Sequence, residues 1–295
     1  MERATLEDKR LLKMLVRSRS DFQKIRKAVD NRLGRKADGS SQKIQERKFN
    51  LEDFQMLDSI SEAARFQERN IEKSLTQVLR RFDFYNAWCV KTKGLGTIGS
   101  GWILSSINIY IASTVSKIWQ YSGYNPGLVR GKQQIKYDDG TYSEPFLTNH
   151  MIRGDKLTPK FLAPFNTRLR TALSGIIAGE FIRSQNDYAM KFYYPYKARL
   201  EQEKNKVEDK ARLEQEKNKV EDKAQLEQEK NKVEESKKEE AKAWCDVSKG
   251  HRDLAAKRYM MKMFEIDLYV AWRTFEGLPV RDPYAKEYLG MDHAA

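Results

Sequence analysis

Through the first 84 residues, large apolar side chains return every three or four positions, a spacing that only a helix gathers into one buried stripe. Leu11, Leu12, Leu15, Val16, Phe22, Ile25, Val29 and Leu33 do so within residues 5–33, with cations between them. A second pattern runs from Leu51 to Phe84 through Phe54, Leu57, Ile60, Ala64, Phe66, Ile71, Leu75, Val78 and Leu79. Between them, "GRKADGSSQ" reads as a turn in which Gly34 ends the first helix. Two long helices joined by a polar turn predict an antiparallel hairpin or coiled-coil arm over residues 1–88.

The arm is also where charge collects. Residues 1–50 hold 15 Lys and Arg against 7 Asp and Glu, in a chain of 295 residues and net charge +13. Such a surplus selects a polyanion as partner, nucleic acid first. The two cysteines, Cys89 and Cys245, lie far apart and offer neither a disulfide framework nor a Cys-x-x-Cys metal site, which fits a reducing, cytoplasmic setting. The longest apolar run, Trp102 to Trp119, is broken by Ser105, Ser106, Asn108, Ser113, Ser116 and Lys117, so no membrane span and no membrane partner are expected.

Further along, "IKYDDGTYSE" predicts a β-hairpin turning at Asp139 and Gly140. From Pro164 a helical stripe returns with Phe165, Leu169, Leu173, Ile176, Ile177 and Phe181. A 13-residue unit, "ARLEQEKNKVEDK", then occurs at 198–210 and 211–223 and recurs in altered form at 224–236. Its apolar positions, about one per heptad, make no coiled-coil seam, and its Glu/Lys pairs three apart suit a solvated helical spacer over 198–242. Residues 249–275 read as one strong helix, closed by Gly277 and Pro279, within a C-terminal segment 243–295 that packs on the core.

The chemistry centres on "KGLGTIGSGWILSSI", Lys93 to Ile107. Gly94, Gly96 and Gly99 satisfy G-x-G-x-x-G, but a dinucleotide site needs a preceding strand and an acidic residue about 20 positions on; here a helical pattern precedes, and "SKIWQYSG" stands where the acidic residue should be. No Gly-Lys-Ser or Gly-Lys-Thr occurs, which excludes a P-loop. The reading that remains is a helix-hairpin-helix over 89–197: a tight "GLG" bend whose amides, with the start of the outgoing helix, face a phosphate. A plain helix-helix turn is its alternative.

These blocks resemble a known family. "KGLGTIGSGWILSSI", "WQYSGYNPG" and "FNTRLRTAL", in that order, are similar to the C-terminal domain of the Piv-type insertion-sequence transposases, which include bridge-RNA-guided recombinases of the DEDD type. Gly94, Gly96, Gly123, Pro126, Asn166, Leu169, Arg170 and Leu173 carry the match. Arg17, Arg19, Asn31, Arg32 and Leu33 match the basic helix joining that family's two domains. The resemblance covers about residues 10–195. Together with the helical periodicities it gives the expected fold: mainly α, a helical arm plus a helix-hairpin-helix transposase-like domain, with a small β-hairpin insertion and a long charged helix. It departs in two places. The family's RuvC-like nuclease domain, which would precede the arm, is expected to be missing. "NPGLVRGK" has Arg130 where a nucleophilic serine before glycine is expected, which leaves Ser143, or Ser122, as substitute hydroxyls and His150 as the nearest histidine in sequence to Ser143.

The chain is accordingly expected to be a DNA-binding, transposase-related protein of a mobile element or phage. Its expected backbone-binding residues are Lys93, Gly94, Gly96, Gly99, Arg130, Lys132, Arg153, Lys156, Arg168 and Arg170, with Tyr121, Tyr124 and Tyr137 beside them. No metal or cofactor is expected to belong to the chain, and magnesium enters only with a nuclease domain from a partner. DNA is the main partner, a structured or guide RNA a second, and further copies of the chain a third. An active serine recombinase completed in trans and a non-enzymatic scaffold are the alternatives. Bulky residues at Gly94 and Gly96 should weaken DNA binding without unfolding the protein.

Overall fold

The computed structural model describes residues 5–34, 51–202 and 247–282. It is mainly α-helical with one small antiparallel sheet. The chain divides into two compact units, one formed by residues up to Asn186 together with those from Met261 onward, the other by Asp187–Met260.

Helix α1 spans Leu6–Leu33 and is bounded by the chemistry its sequence offers at each end. The Thr5 hydroxyl accepts from the Asp8 amide while the Asp8 carboxylate accepts from the Thr5 amide, and Gly34 closes the helix in the left-handed region at φ 71°. Helix α2, Leu51–Leu79, runs antiparallel to it, as Asp8 pairs with Arg81 at one end and Asp30 with Ser61 at the other. Leu12, Val16, Val29 and Leu33 are buried on α1; Ala64, Leu75, Val78 and Leu79 are buried on α2.

The middle of that interface is ionic. Glu68 receives Arg26 at 2.6 Å and Arg19 at 3.3 Å; Arg19 also reaches Glu72 at 3.0 Å, and Asp30 takes Arg65 at 3.0 Å and the Ser61 hydroxyl at 2.6 Å. Burial pushes the Asp30 carboxyl up, but the Ser61 hydroxyl and the Arg65 and Arg26 guanidiniums outweigh it and hold the group below its ordinary range.

The second helical pattern stops at Leu79, short of Phe84. Amides of Arg81 and Phe82 bond three residues back and tighten the end of α2. Helix α3, Asp83–Ala87, then turns Phe84 onto Trp272 at 5.0 Å between ring centroids. After a 3-10 turn, Cys89–Lys91, come the glycine bend and helix α4, Thr97–Ser106. Gly101 lets α4 lie directly on the arm: a Cβ there would stand 2.7 Å from Val16 Cγ1. This contact joins the glycine segment to the arm within one unit.

The long apolar run also divides. Ile107 turns extended, and helix α5, Val115–Ser122, begins after a loop. The buried Arg273 guanidinium donates to the Ile109 and Ala112 carbonyls of that loop at 2.9 and 3.0 Å, which stabilises the break. Strands β1, Leu128–Gln133, and β2, Phe146–Arg153, pair antiparallel with an irregularity at Gly131. The sequence-predicted turn at Asp139 and Gly140 is their tip, so the hairpin reaches further than "IKYDDGTYSE".

Asn166 caps α6, Thr167–Thr171, by accepting from the Leu169 amide at 3.1 Å; a π-helical stretch, Ala172–Ile177, leads into α7, Ala178–Arg183. In the second unit a π-helical turn, Ala189–Tyr193, precedes α8, Tyr194–Gln202, and Tyr196 stacks on Tyr259 at 4.4 Å. The last helix, α9, is Lys249–Phe275, as the periodicity predicts. Its C-terminal part packs Phe264 edge-on against Phe181 in the first unit. Of the 13-residue repeats only Ala198–Gln202 falls within the described residues, at the end of α8; the rest of the spacer lies outside them. Among the described residues no helix is long and apolar enough to cross a membrane.

Candidate nucleic-acid interface

The bend at Lys93–Gly96 has one side turned inward and one outward. Gly94, at φ 81°, sits against the end of α7: a Cβ would come within 2.5 Å of Ser184 Oγ and 3.2 Å of the Glu180 carbonyl. Leu95 is buried, and the Lys93 carbonyl accepts from the Asn186 side-chain amide. Gly96 instead is exposed, with nothing within 4 Å of a Cβ built on it. It caps α4 without a side chain, so the first-turn amides of Thr97, Ile98 and Gly99 have no intrahelical acceptor. Gly99 is a packing glycine, 3.0 Å from Ile177 Cγ1.

A groove of 790 Å³ opens beside this bend, lined in part by Arg69, Lys73, Thr76, Lys93, Gly96 and Thr97. A second, of 700 Å³, lies between α1 and the α6–α7 segment and is lined in part by Arg17, Lys24, Lys27, Thr167, Arg168 and Arg183. Ile98, Ile176 and Glu180 line both, so the two grooves adjoin at these side chains and are together called the channel.

Its charges fall into two sets. Arg19 is held by Glu68 and Glu72, Lys24 by Asp21, and Arg183 by Glu180. Arg17, Lys27, Arg69, Lys73, Lys93 and Arg168 form no ion pair among the described residues. Four chain segments thus bring six uncompensated cations to one channel, at the open amide end of α4. An anion spanning several of them would release counterions on binding.

The sequence-predicted residues divide accordingly. Lys93, Gly94, Gly96, Gly99 and Arg168 line the channel. Arg153 and Arg170 do not line it, because both are engaged elsewhere. The Arg153 guanidinium pairs with Asp155 at 2.9 and 3.0 Å; Arg170 donates to the Asp155 carbonyl and stacks on Phe165 at 4.7 Å. Arg130, Lys132 and Lys156 lie on or beside the β-hairpin, away from the channel's lining. Lys27, Arg69, Lys73 and Arg183 were not singled out from sequence, although Arg69, Lys73 and Thr76 share a helix face at i, i+4 and i+7.

The hydroxyl candidates are occupied. Ser143 Oγ accepts from the Ile135 amide at 2.9 Å and donates to the Glu144 carbonyl at 3.1 Å, while His150 packs edge-on against Phe161. Ser122 is fully buried and donates to Glu265 at 3.1 Å. Burial pushes the Cys89 thiol up to about 12, far from the range of a reactive thiolate. Among the described residues no three Asp, Glu, His or Cys side chains stand together as a metal would require. No protein-family model, curated protein or solved structure matches this chain.

Proposed function

We propose that this chain holds a nucleic-acid backbone, duplex DNA foremost, in the channel that runs from the glycine bend past α6, and that it does so as a transposase-related protein. The observation that carries this reading is the set of six unpaired cations drawn from α1, α2, the bend and α6 into one groove that ends on free helix amides. Such a surface attracts phosphates without reading sequence. The resemblance of the glycine, "NPG" and "FNTRLRTAL" blocks to insertion-sequence transposases supplies the biological context.

The test is the salt dependence of duplex binding by the full chain. Six phosphate contacts give a slope of about −5 in log affinity against log salt, between about 50 and 200 mM. Replacing Arg69, Lys73 and Arg168 together by alanine should flatten that slope by about 3, with the unfolding midpoint unchanged because all three are exposed and form no ion pair among the described residues. A slope equal to that of the unmodified chain would remove the channel from the interface.

A further inference from the structure

The β-hairpin presents a face that the channel does not account for. Pairing places Leu128 opposite Arg153 and Arg130 opposite Met151 on one side of the pleat, and Lys132 lies opposite Leu147 beyond the irregularity at Gly131. All six are exposed; Leu128, Leu147 and Met151 are 65, 59 and 53% accessible. The other side is pinned to the protein. Ile152 is buried, the Phe161 ring stands 2.4 Å from where a Gly131 Cβ would lie, and the Leu162 amide bonds to the Lys132 carbonyl at 2.8 Å. A two-stranded ribbon therefore projects a fixed face that alternates cations with large apolar groups.

We infer that this face enters the major groove of duplex DNA, with Arg130 and Lys132 addressed to base edges and Leu128, Leu147 and Met151 to the apolar parts of the bases. The inference rests on the DNA reading of the channel.

Three features select this occupant. The first is charge: the face bears Arg130 and Lys132, which form no ion pair among the described residues, and Arg153 paired with Asp155, and none of its six residues is acidic, which suits a polyanion and opposes a second copy of the same surface. The second is size, since the major groove is about 12 Å wide and admits a two-stranded ribbon. Residues two apart on a strand are separated by about 6.8 Å, close to two base-pair steps of about 3.4 Å. The third is chemistry: Arg and Lys recognise guanine O6 and N7, and apolar side chains contact the thymine methyl group. The hairpin's carboxylates Asp138, Asp139 and Glu144 lie toward its tip, and Asp139 is turned back to accept from the Thr141 amide and hydroxyl at 2.8 and 2.6 Å. The base of the ribbon is therefore the part that meets the duplex.

The experiment is protection of guanine N7 from dimethyl sulfate on duplex DNA saturated with the full chain. N7 faces the major groove only, so protected guanines are expected with the unmodified protein. In R130Q/K132Q the protection should disappear and affinity fall by about tenfold, as for the loss of one or two base-edge contacts. Both side chains stand on the outward face, so folding is not at stake, and an unchanged unfolding midpoint verifies this. Salt-dependent binding with every N7 left reactive would overturn the ribbon's placement and leave the channel reading standing. Absence of duplex binding by the unmodified chain would overturn both.

Discussion

Gly94 and Gly96 stand two residues apart and meet opposite surroundings. At Gly94 the backbone is left-handed and a Cβ would strike Ser184 and the Glu180 carbonyl. Gly94→Val should destabilise the fold by about 2 kcal/mol or more, read as a lower denaturation midpoint. Gly96 is extended and open. Gly96→Val should leave stability within about 1 kcal/mol and weaken DNA binding, because a branched side chain would shield the free amides of α4. The sequence-based expectation that both positions tolerate bulk is thereby corrected for Gly94.

Glu265 makes a second residue-scale prediction. It is fully buried; burial pushes its carboxyl up to about 8 against the opposing Ser122 hydrogen bond and the Lys262 charge. A carboxyl raised in the folded state is neutral in both states at low pH and ionises first in the unfolded chain. Stability attributable to it should therefore fall as pH rises from about 4 to about 8 and level off above. Glu265→Gln should remove that slope and raise the unfolding free energy at neutral pH by up to about 3 kcal/mol.

At the scale of elements, the α1–α2 arm is held by apolar ends and an ionic centre. Glu68 serves two guanidiniums at once, so Glu68→Ala would strand Arg19 and Arg26 in a largely enclosed interface and should cost about 3 kcal/mol in a chemical denaturation experiment. Asp30 acts in the opposite sense to Glu265. Its folded pKa is depressed, so its contribution is present above the unfolded value of about 4 and is lost as pH falls through the folded one. The arm should loosen in acid, and Asp30→Asn should blunt that acid limb of the stability curve. On α1 the guanidiniums of Arg19 and Arg26 are taken up by carboxylates of α2, whereas Arg17 and Lys27 form no ion pair among the described residues.

For the whole molecule, a net charge of +13 makes low-salt association with nucleic acid easy and therefore weak evidence by itself. What distinguishes the channel is that its free cations converge while others, such as Arg153 and Arg170, are already neutralised or capped. Ligand that binds only the folded chain stabilises it. Duplex DNA should accordingly raise the thermal midpoint of the full chain at low salt, and the shift should vanish at high salt and in the Arg69, Lys73 and Arg168 triple variant. An equal shift in that variant would place the DNA elsewhere.

Local signals in the sequence determined the helices and their ends. Thr5, Asp8 and Gly34 bound α1, the apolar period defines Lys249–Phe275, and Asp139–Gly140 turns the hairpin, because each depends on residues within a few positions of one another. The mainly α class comes from the same periodicity. Only tertiary structure decided which cations are available. Arg17 and Arg19, or Arg168 and Arg170, are equivalent in type and two positions apart, yet the first of each pair lines the channel free while the second is locked by Glu68 and Glu72 or by the Asp155 carbonyl. That distinction is set by partners as many as 53 residues away along the chain, brought close by helix packing, and no local pattern encodes it.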